Sequence, residues 1–159
     1  MLFNRTRKFS DLSGSAFLFG PRMTGKTFLL RTLKSDLYVD LLDPERELTL
    51  ARAPKISWEE IQALSRGALV IVDEIQRVPI LLDYVQKGME ELRLRFICSG
   101  SSARKLRRGG ANLLGGRAAD LRLHPLTEEE IGPRFDLSAA LRFGTLPKAA
   151  DLVLDGATE

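Results

Sequence analysis

The sequence has little of the residue types that build disulfide frameworks and metal clusters. Its 159 residues include one cysteine, Cys98, and one histidine, His124. A single cysteine can form no internal disulfide, which suits a reducing compartment, and a single histidine is weak support for a metal site. The chain also lacks any run of ~20 apolar residues able to span a bilayer, and its opening residues lack the apolar core of a secretion signal. We therefore expect a cytoplasmic protein with no membrane partner.

Composition indicates one globular unit. Hydrophobic residues make up 44% of the chain and charged residues 28%. A chain of this size can bury roughly 70% of its unfolded surface in a single core. No internal repeat or low-complexity tract interrupts it.

Apolar runs and helical spacing alternate along the chain. Four short apolar runs predict buried parallel strands at 16–19, 38–42, 69–72 and 95–98. Segments with helical spacing lie at 26–33, 58–64 and 80–92. A weaker run at 118–123 is interrupted by Asp120 and Arg122 and is expected at a sheet edge, while Thr127 and Glu130 have the spacing of a capping box. This alternation predicts an α/β fold with a mainly parallel sheet.

A phosphate-binding pattern follows the first predicted strand. Residues 20–27 match Gly, four residues, Gly, Lys and Ser or Thr, as Gly20-Pro21-Arg22-Met23-Thr24-Gly25-Lys26-Thr27. Glycine allows backbone N–H groups to approach a phosphate closely, and the next helix directs its free N–H groups at the same anion. Lys26 supplies charge to the β- and γ-phosphates, and the Thr27 hydroxyl ligates Mg²⁺. The sequence therefore predicts binding of ATP with Mg²⁺ through residues 20–27 and the adjacent Phe28.

Two acids, Asp73 and Glu74, follow the run 69–72. Ligands bind at the carboxyl ends of parallel strands, so Asp73 fits the role of orienting Mg²⁺ and Glu74 fits a base that polarises water. The alternative is a pair of acids that merely opens a helix. Because phosphate transfer to an acceptor has less need of a base for water, the pair favours hydrolysis of ATP to ADP and phosphate.

Serines follow the run 95–98. A hydroxyl at the end of a strand between the two motif-bearing strands could hydrogen-bond the γ-phosphate or the lytic water, which would make Ser99 a sensor. Ser101 is a second candidate. The alternative is that serines and glycine simply end the strand.

These motifs resemble one group of the AAA-type ATPases of bacteria and archaea, in which an N-terminal AAA domain precedes a C-terminal domain of unknown function. The resemblance rests on the phosphate loop, Val72-Asp73-Glu74-Ile75-Gln76-Arg77-Val78-Pro79, Ser99-Gly100-Ser101-Ser102, Gly116-Arg117-Ala118 and Pro125-Leu126. It implies a P-loop fold with helices on both faces of a five-stranded sheet ordered 5-1-4-3-2. It also implies an AAA-type domain over 1–150 and a short remnant at 151–159, so that we expect a truncated relative of the family, the product of a split gene or a fragment.

The same resemblance assigns further site residues. Asp73 is implied on the metal, Glu74 as base and Ser99 as sensor. Arg117 matches an arginine of the group that could contact the γ-phosphate in its own subunit or in a neighbour's, the alternative being a surface arginine. Lys26, Glu74, Ser99 and Arg117 are the predicted catalytic residues.

Charge is uneven along the chain although the net charge is only +3. Residues 104–122 carry six basic side chains against one acid, and residues 123–159 carry seven acids against three bases. Such asymmetry is typical of a nucleic-acid or partner surface, but solvated elements give the same counts. The basic cluster 104–108 could follow a nucleic-acid backbone or steer ATP, although no aromatics are interleaved for base stacking.

Three functions are consistent with these patterns. The first is ATP hydrolysis by an AAA-type core. The second is a nucleotide-dependent switch that barely turns over because a partner, either a second copy or the missing C-terminal domain, is required. The third is a DNA-associated protein that uses the cluster 104–108.

Overall fold

A five-stranded parallel sheet forms the centre of the molecule. The computed structural model describes Arg5, residues 13–102, Leu106 and residues 116–155. The strands within these residues are β1 (Ser15–Phe19), β2 (Leu37–Asp40), β3 (Leu69–Asp73), β4 (Arg95–Gly100) and β5 (Ala118–Arg122). Their spatial order is β2-β3-β4-β1-β5, and every neighbouring pair is parallel. This confirms the predicted order 5-1-4-3-2 and the edge position of the fifth strand.

Helices connect the strands and continue beyond the sheet. They are α1 (Lys26–Arg31), α2 (Pro44–Arg52), α3 (Lys55–Gln62), a 3₁₀ turn (Ile75–Arg77), α4 (Leu81–Glu91), α5 (Glu128–Ile131), a second 3₁₀ turn (Gly132–Arg134), α6 (Leu137–Phe143) and α7 (Pro147–Leu154). The three predicted helices are present with shifted ends. Helix α2 is absent from the prediction. It begins where the Asp43 side chain accepts a hydrogen bond from the Glu45 N–H at 3.0 Å, with Pro44 in the first turn.

Both faces of the sheet are apolar, as a helix-covered parallel sheet requires. On one face Phe17 and Phe19 stack with ring centroids 5.3 Å apart and pack with side chains of α2, α3 and α4. On the other face Leu18 packs with Leu30 of α1. Cys98 is fully buried, and burial raises the pKa of its thiol to about 12. The thiol therefore stays protonated and packs as a small apolar side chain.

The C-terminal helices follow the edge strand β5. Helix α5 begins at the predicted capping box, in which the Thr127 hydroxyl accepts from the Glu130 N–H at 3.3 Å and the Glu130 carboxylate accepts from the Thr127 N–H at 3.1 Å. Helix α7 runs across residue 150, where the predicted domain ends. In the described part of the chain, no helix combines the length and apolar character needed to cross a membrane. Of the basic cluster 104–108, only Leu106, which is buried in the core, falls within the described residues.

Candidate functional site

The phosphate loop leaves the carboxyl end of β1 and enters α1. Gly25, the residue before α1, has a φ of +89°, a conformation that favours glycine. Gly20 has no space for a side chain, since a Cβ there would lie 2.2 Å from the carbonyl oxygen of Leu123. Thr24 is fully buried, and its hydroxyl donates to the Pro21 carbonyl at 2.9 Å. The two glycines of the motif are therefore the residues that this backbone path requires.

Lys26 lies inside the loop at its junction with the end of β3. Its Nζ donates to the carbonyls of Gly20 at 2.9 Å and Pro21 at 3.0 Å, and it lies 3.9 Å from Glu74 Oε1. The residue is only 5% exposed. Burial lowers the pKa of Lys26, and the negative charges of Glu74 and Asp73 act against that shift. The ammonium is thus held between carbonyl oxygens of the loop and the Glu74 carboxylate.

The outer loop residues border a cleft of about 540 Å³. Arg22, Met23 and Phe28 are exposed, and Thr27 is half-buried in the first turn of α1. These residues, with Gly25 and Lys26, form one wall of the cleft. The other wall is formed by Leu42, Glu74, Gln76, Arg77 and Ser101. The volume falls within the range of ~300–1,000 Å³ that is typical of small-molecule sites.

Asp73, at the end of β3, is completely buried and held through both carboxylate oxygens. The Ser99 hydroxyl donates to Oδ1, and the Tyr38 hydroxyl donates to Oδ2 at 3.0 Å. Burial raises the pKa of Tyr38, and the charge of Asp73 and the hydrogen bond to it act in the same direction. Tyr38 therefore remains a donor at neutral pH. Sequence reasoning missed Tyr38 because no motif marks the residue that faces an acid from the neighbouring strand.

Glu74 turns sharply away from β3. Its φ is +61° and its ψ 45°, a left-handed conformation that costs a non-glycine residue about 1–2 kcal/mol. The backbone N–H of Glu74 donates to Ser99 Oγ at 2.9 Å, and the side-chain amide of Gln76 donates to Glu74 Oε2. The carboxylate thus reaches the cleft wall while Ser99 braces both acids. Gln76 is a further site residue, and although it lies in the motif 72–79, its residue type alone does not indicate this contact.

The structure brings Lys26, Asp73, Glu74 and Ser99 together at the carboxyl edge of the sheet. Ser99 lies on β4, which pairs with both β1 and β3, as the interpretation of Ser99 as a sensor requires. In the structure its hydroxyl contacts the two acids. The sensor function, a contact with phosphate or water, stays a prediction.

The oxygen donors at this edge fit Mg²⁺ rather than a metal held by protein alone. No cluster of three or more His, Cys, Asp or Glu side chains suited to a metal occurs in the described ranges. Magnesium is characteristically held by one or two protein oxygens together with substrate phosphates and water. Thr27 borders the cleft, and the buried Asp73 directly precedes Glu74, which also borders it; both residues carry hard oxygen donors of this kind.

Arg117 lies at the amino ends of the strands, whereas the phosphate loop lies at their carboxyl ends. It directly precedes β5, whose first residue, Ala118, pairs with Ser15, whereas the phosphate loop begins five residues further along β1 at Gly20. At ~3.3 Å per residue, the two ends of β1 are roughly 16 Å apart. The Arg117 guanidinium pairs with Glu90 Oε1 at 3.1 Å and is 53% exposed. The structure therefore does not bring Arg117 to the phosphate loop of its own chain.

Comparisons with known proteins agree with this architecture. A family model described as "AAA domain" matches residues 13–132. The structure of the Aeropyrum pernix ORC1 protein in complex with DNA is similar over 88% of this chain and 52% of that chain, at a TM-score of 0.54 and 17% identity. The Aeropyrum pernix ORC2 protein, in ADPNP and ADP complexes, is similar over 76% of this chain and 44% of that chain, at 0.53 and 17%. The chain thus spans about half the length of these relatives. No curated protein sequence matches it.

Proposed function

The chain belongs to the AAA domain family, and from that premise we propose that it binds ATP with Mg²⁺ in the cleft beside the phosphate loop and hydrolyses it. One observation carries the proposal. The Lys26 ammonium, the Asp73 carboxylate and the Glu74 carboxylate converge at one edge of the sheet, with Lys26 Nζ 3.9 Å from Glu74 Oε1. Such hydrolysis needs a cation that contacts the phosphates, an acid that holds the metal and a base that activates water, and these three side chains fit those roles in that order.

The loop and α1 supply the binding half of the mechanism. On binding, Lys26 exchanges its contacts with the Gly20 and Pro21 carbonyls for oxygens of the β- and γ-phosphates, which relieves the burial of an ammonium among backbone carbonyls. Thr27 and Asp73 would hold Mg²⁺, and the metal would supply positive charge against the charge that develops on the phosphates.

The end of β3 supplies the chemical half. Glu74 borders the cleft, and its Oε1, the oxygen that does not accept from Gln76, takes the proton of the attacking water as the bond from water to phosphorus forms and the bond to ADP breaks. Ser99 acts as a positioning residue, since one hydroxyl holds the Asp73 carboxylate and the Glu74 backbone together. Arg117 would act only on a neighbouring subunit's nucleotide, because it lies at the amino ends of the strands of its own sheet, away from the phosphate loop.

Two substitutions test the proposal. Lys26→Ala should weaken ATP binding at least tenfold, because it removes a charge-assisted hydrogen bond. Glu74→Gln should keep ATP affinity within about threefold and lower kcat by about 10²–10⁴. Calorimetry and phosphate release measure the two effects. Lys55→Ala and Glu59→Gln, which alter an exposed pair on α3, are the matched controls. Unchanged affinity in Lys26→Ala would remove the binding mode, and unchanged turnover in Glu74→Gln would remove the base.

A second candidate is a nucleotide-dependent switch with slow turnover. The observation that favours it is the hydrogen bond from Gln76 to Glu74, which occupies one oxygen of the proposed base. If this contact restrains the base, Gln76→Ala should raise kcat while ATP affinity stays constant. Fast multiple-turnover hydrolysis by the wild-type chain, with no gain in Gln76→Ala, would count against the switch.

A DNA-associated function remains a third candidate. The A. pernix ORC1 relative was solved in complex with DNA, and the basic cluster 104–108 of this chain could contact phosphates. Duplex binding that relies on such contacts weakens steeply as salt rises. Binding that does not weaken between low and moderate salt would exclude this mechanism.

A further inference from the structure

The largely buried side chain of Arg5 contacts the phosphate loop. Arg5 Nη2 donates to the carbonyl of Thr24 at 3.2 Å and to the carbonyl of His124 at 2.5 Å. Its Nη1 donates to Glu130 Oε2 at 2.8 Å. The side chains of Arg5 and Glu130 are 9% and 5% exposed. One side chain therefore joins the loop to the end of β5 and to the capping box of α5.

The contact with the Thr24 carbonyl also bears on the orientation of the Gly25 N–H. A peptide unit is planar and trans, so the carbonyl of Thr24 and the N–H of Gly25 point in opposite directions. Arg5 and its other two partners, His124 and Glu130, do not belong to the described residues that border the cleft, whereas Gly25 does. A guanidinium that holds the Thr24 carbonyl on the far side of the peptide would direct the N–H of Gly25 toward the cleft, where the proposed function puts the phosphates.

We propose that Arg5 is a positioning residue for the phosphates, acting through the orientation of the Thr24–Gly25 peptide. Gly25 has no side chain to restrict its left-handed φ of +89°, and the nearest obstacle to a Cβ, Pro147 Cγ, is 4.0 Å away. The hydrogen bond from the Leu29 N–H to the Gly25 carbonyl, at 2.9 Å, holds the side of this residue that enters α1. The guanidinium supplies the restriction that the glycine lacks. This inference rests on the proposed binding of ATP by the same loop.

The contact pattern is poorly suited to stabilisation alone. The Nε of Arg5 is buried without a hydrogen-bond partner among the described residues. A buried ion pair whose donors are not all satisfied gains little over an apolar replacement, because desolvation of the charges offsets their attraction. A role in shaping the loop explains why an arginine stands there.

The test compares nucleotide affinity with stability in one set of variants. Calorimetry measures the Kd of wild type, Arg5→Ala, Arg5→Lys and Lys26→Ala for a non-hydrolysable ATP analogue and for inorganic tripolyphosphate. Thermal melting measures the Tm of each. Two further variants act as controls. Glu130→Gln removes the charge partner of Arg5 but not its contact with Thr24, and Arg46→Ala breaks a comparable arginine–glutamate pair, with Glu60, away from the loop.

Arg5→Ala should raise the Kd for both ligands about tenfold, the factor of one charge-assisted hydrogen bond. Arg5→Lys keeps the charge against Glu130 but cannot reproduce the fork of donors, so its Kd should rise about threefold with a smaller loss of Tm. The controls should lower Tm and leave Kd within twofold.

Three results would overturn the inference: a Kd in Arg5→Ala or Arg5→Lys equal to wild type, an effect confined to the ATP analogue, or a rise in Kd that follows Tm equally in the controls. A wild-type chain that binds neither ligand would instead sink the proposed function.

Discussion

Replacing Ser99 by alanine tests whether one hydroxyl holds the two acids in place. The side chain is fully buried, donates to Asp73 and accepts from the Glu74 N–H at 2.9 Å. Alanine removes a single oxygen, so the substitution leaves the Glu74 N–H without its acceptor and Asp73 with only the donor from Tyr38. Each buried group that loses its partner costs ~1–3 kcal/mol.

Two such groups predict a loss of about 2–6 kcal/mol in the free energy of unfolding for Ser99→Ala. For a chain of this size that corresponds to a fall in Tm of roughly 4–24 °C. Urea denaturation measures the change, which should appear in the midpoint with an unchanged m-value. Ser101→Ala, at the half-buried serine two residues further on, is the matched control and should stay within about 0.5 kcal/mol of wild type. A loss of less than 0.5 kcal/mol in Ser99→Ala, by the same standard, would refute the reasoning.

Three further outcomes follow from contacts described or implied by the fold. Gly88→Ala should destabilise the chain by about 1–3 kcal/mol in denaturant melts, despite better helix propensity, because a Cβ would lie 2.8 Å from the ring of Phe96; a gain in stability would contradict this. Burial lowers the pKa of Lys26 below its ordinary value of 10.5. At a pH between the lowered pKa of the folded state and 10.5, the unfolded state therefore binds a proton that the folded state has lost. Wild-type stability relative to Lys26→Met should therefore rise with pH up to about 10.5, and a falling difference would show the opposite shift. Finally, specific ATPase activity should rise with protein concentration in wild type but not in Arg117→Ala, with Glu90→Gln as control; a concentration-independent rate would exclude a shared site.

Much of the fold is local in the sequence. The four main strands are short, mainly apolar runs, and the start of α5 is marked by Thr127 and Glu130, which both make the expected capping contacts. Helix α2 carries the signals of Asp43 and Pro44 but has a mostly polar sequence, so hydrophobic spacing alone does not reveal it. Ends of elements shift because terminal turns depend on tertiary contacts.

The site divides in the same way. Lys26, Asp73, Glu74 and Ser99 belong to motifs that follow strands of one parallel sheet, so topology alone brings them to one edge. Tyr38 could not be found in this manner, because its partner lies 35 residues away and depends on strand register. Arg5 is harder still, since its contact with Glu130 joins residues 125 positions apart. Arg117 resembles a family arginine in sequence, and only the register of β5 reveals that it lies at the amino ends of the strands.

The left-handed backbone at Glu74 has an evolutionary consequence. Glycine or asparagine would adopt a φ of +61° with less strain, so the glutamate is a residue that stability alone does not favour. A library selected only for thermal resistance should accumulate such replacements at this position and lose the carboxylate. At residue 74, selection for stability thus favours glycine or asparagine, whereas selection for activity favours glutamate. Retention of glutamate in a population of variants would therefore indicate selection for activity.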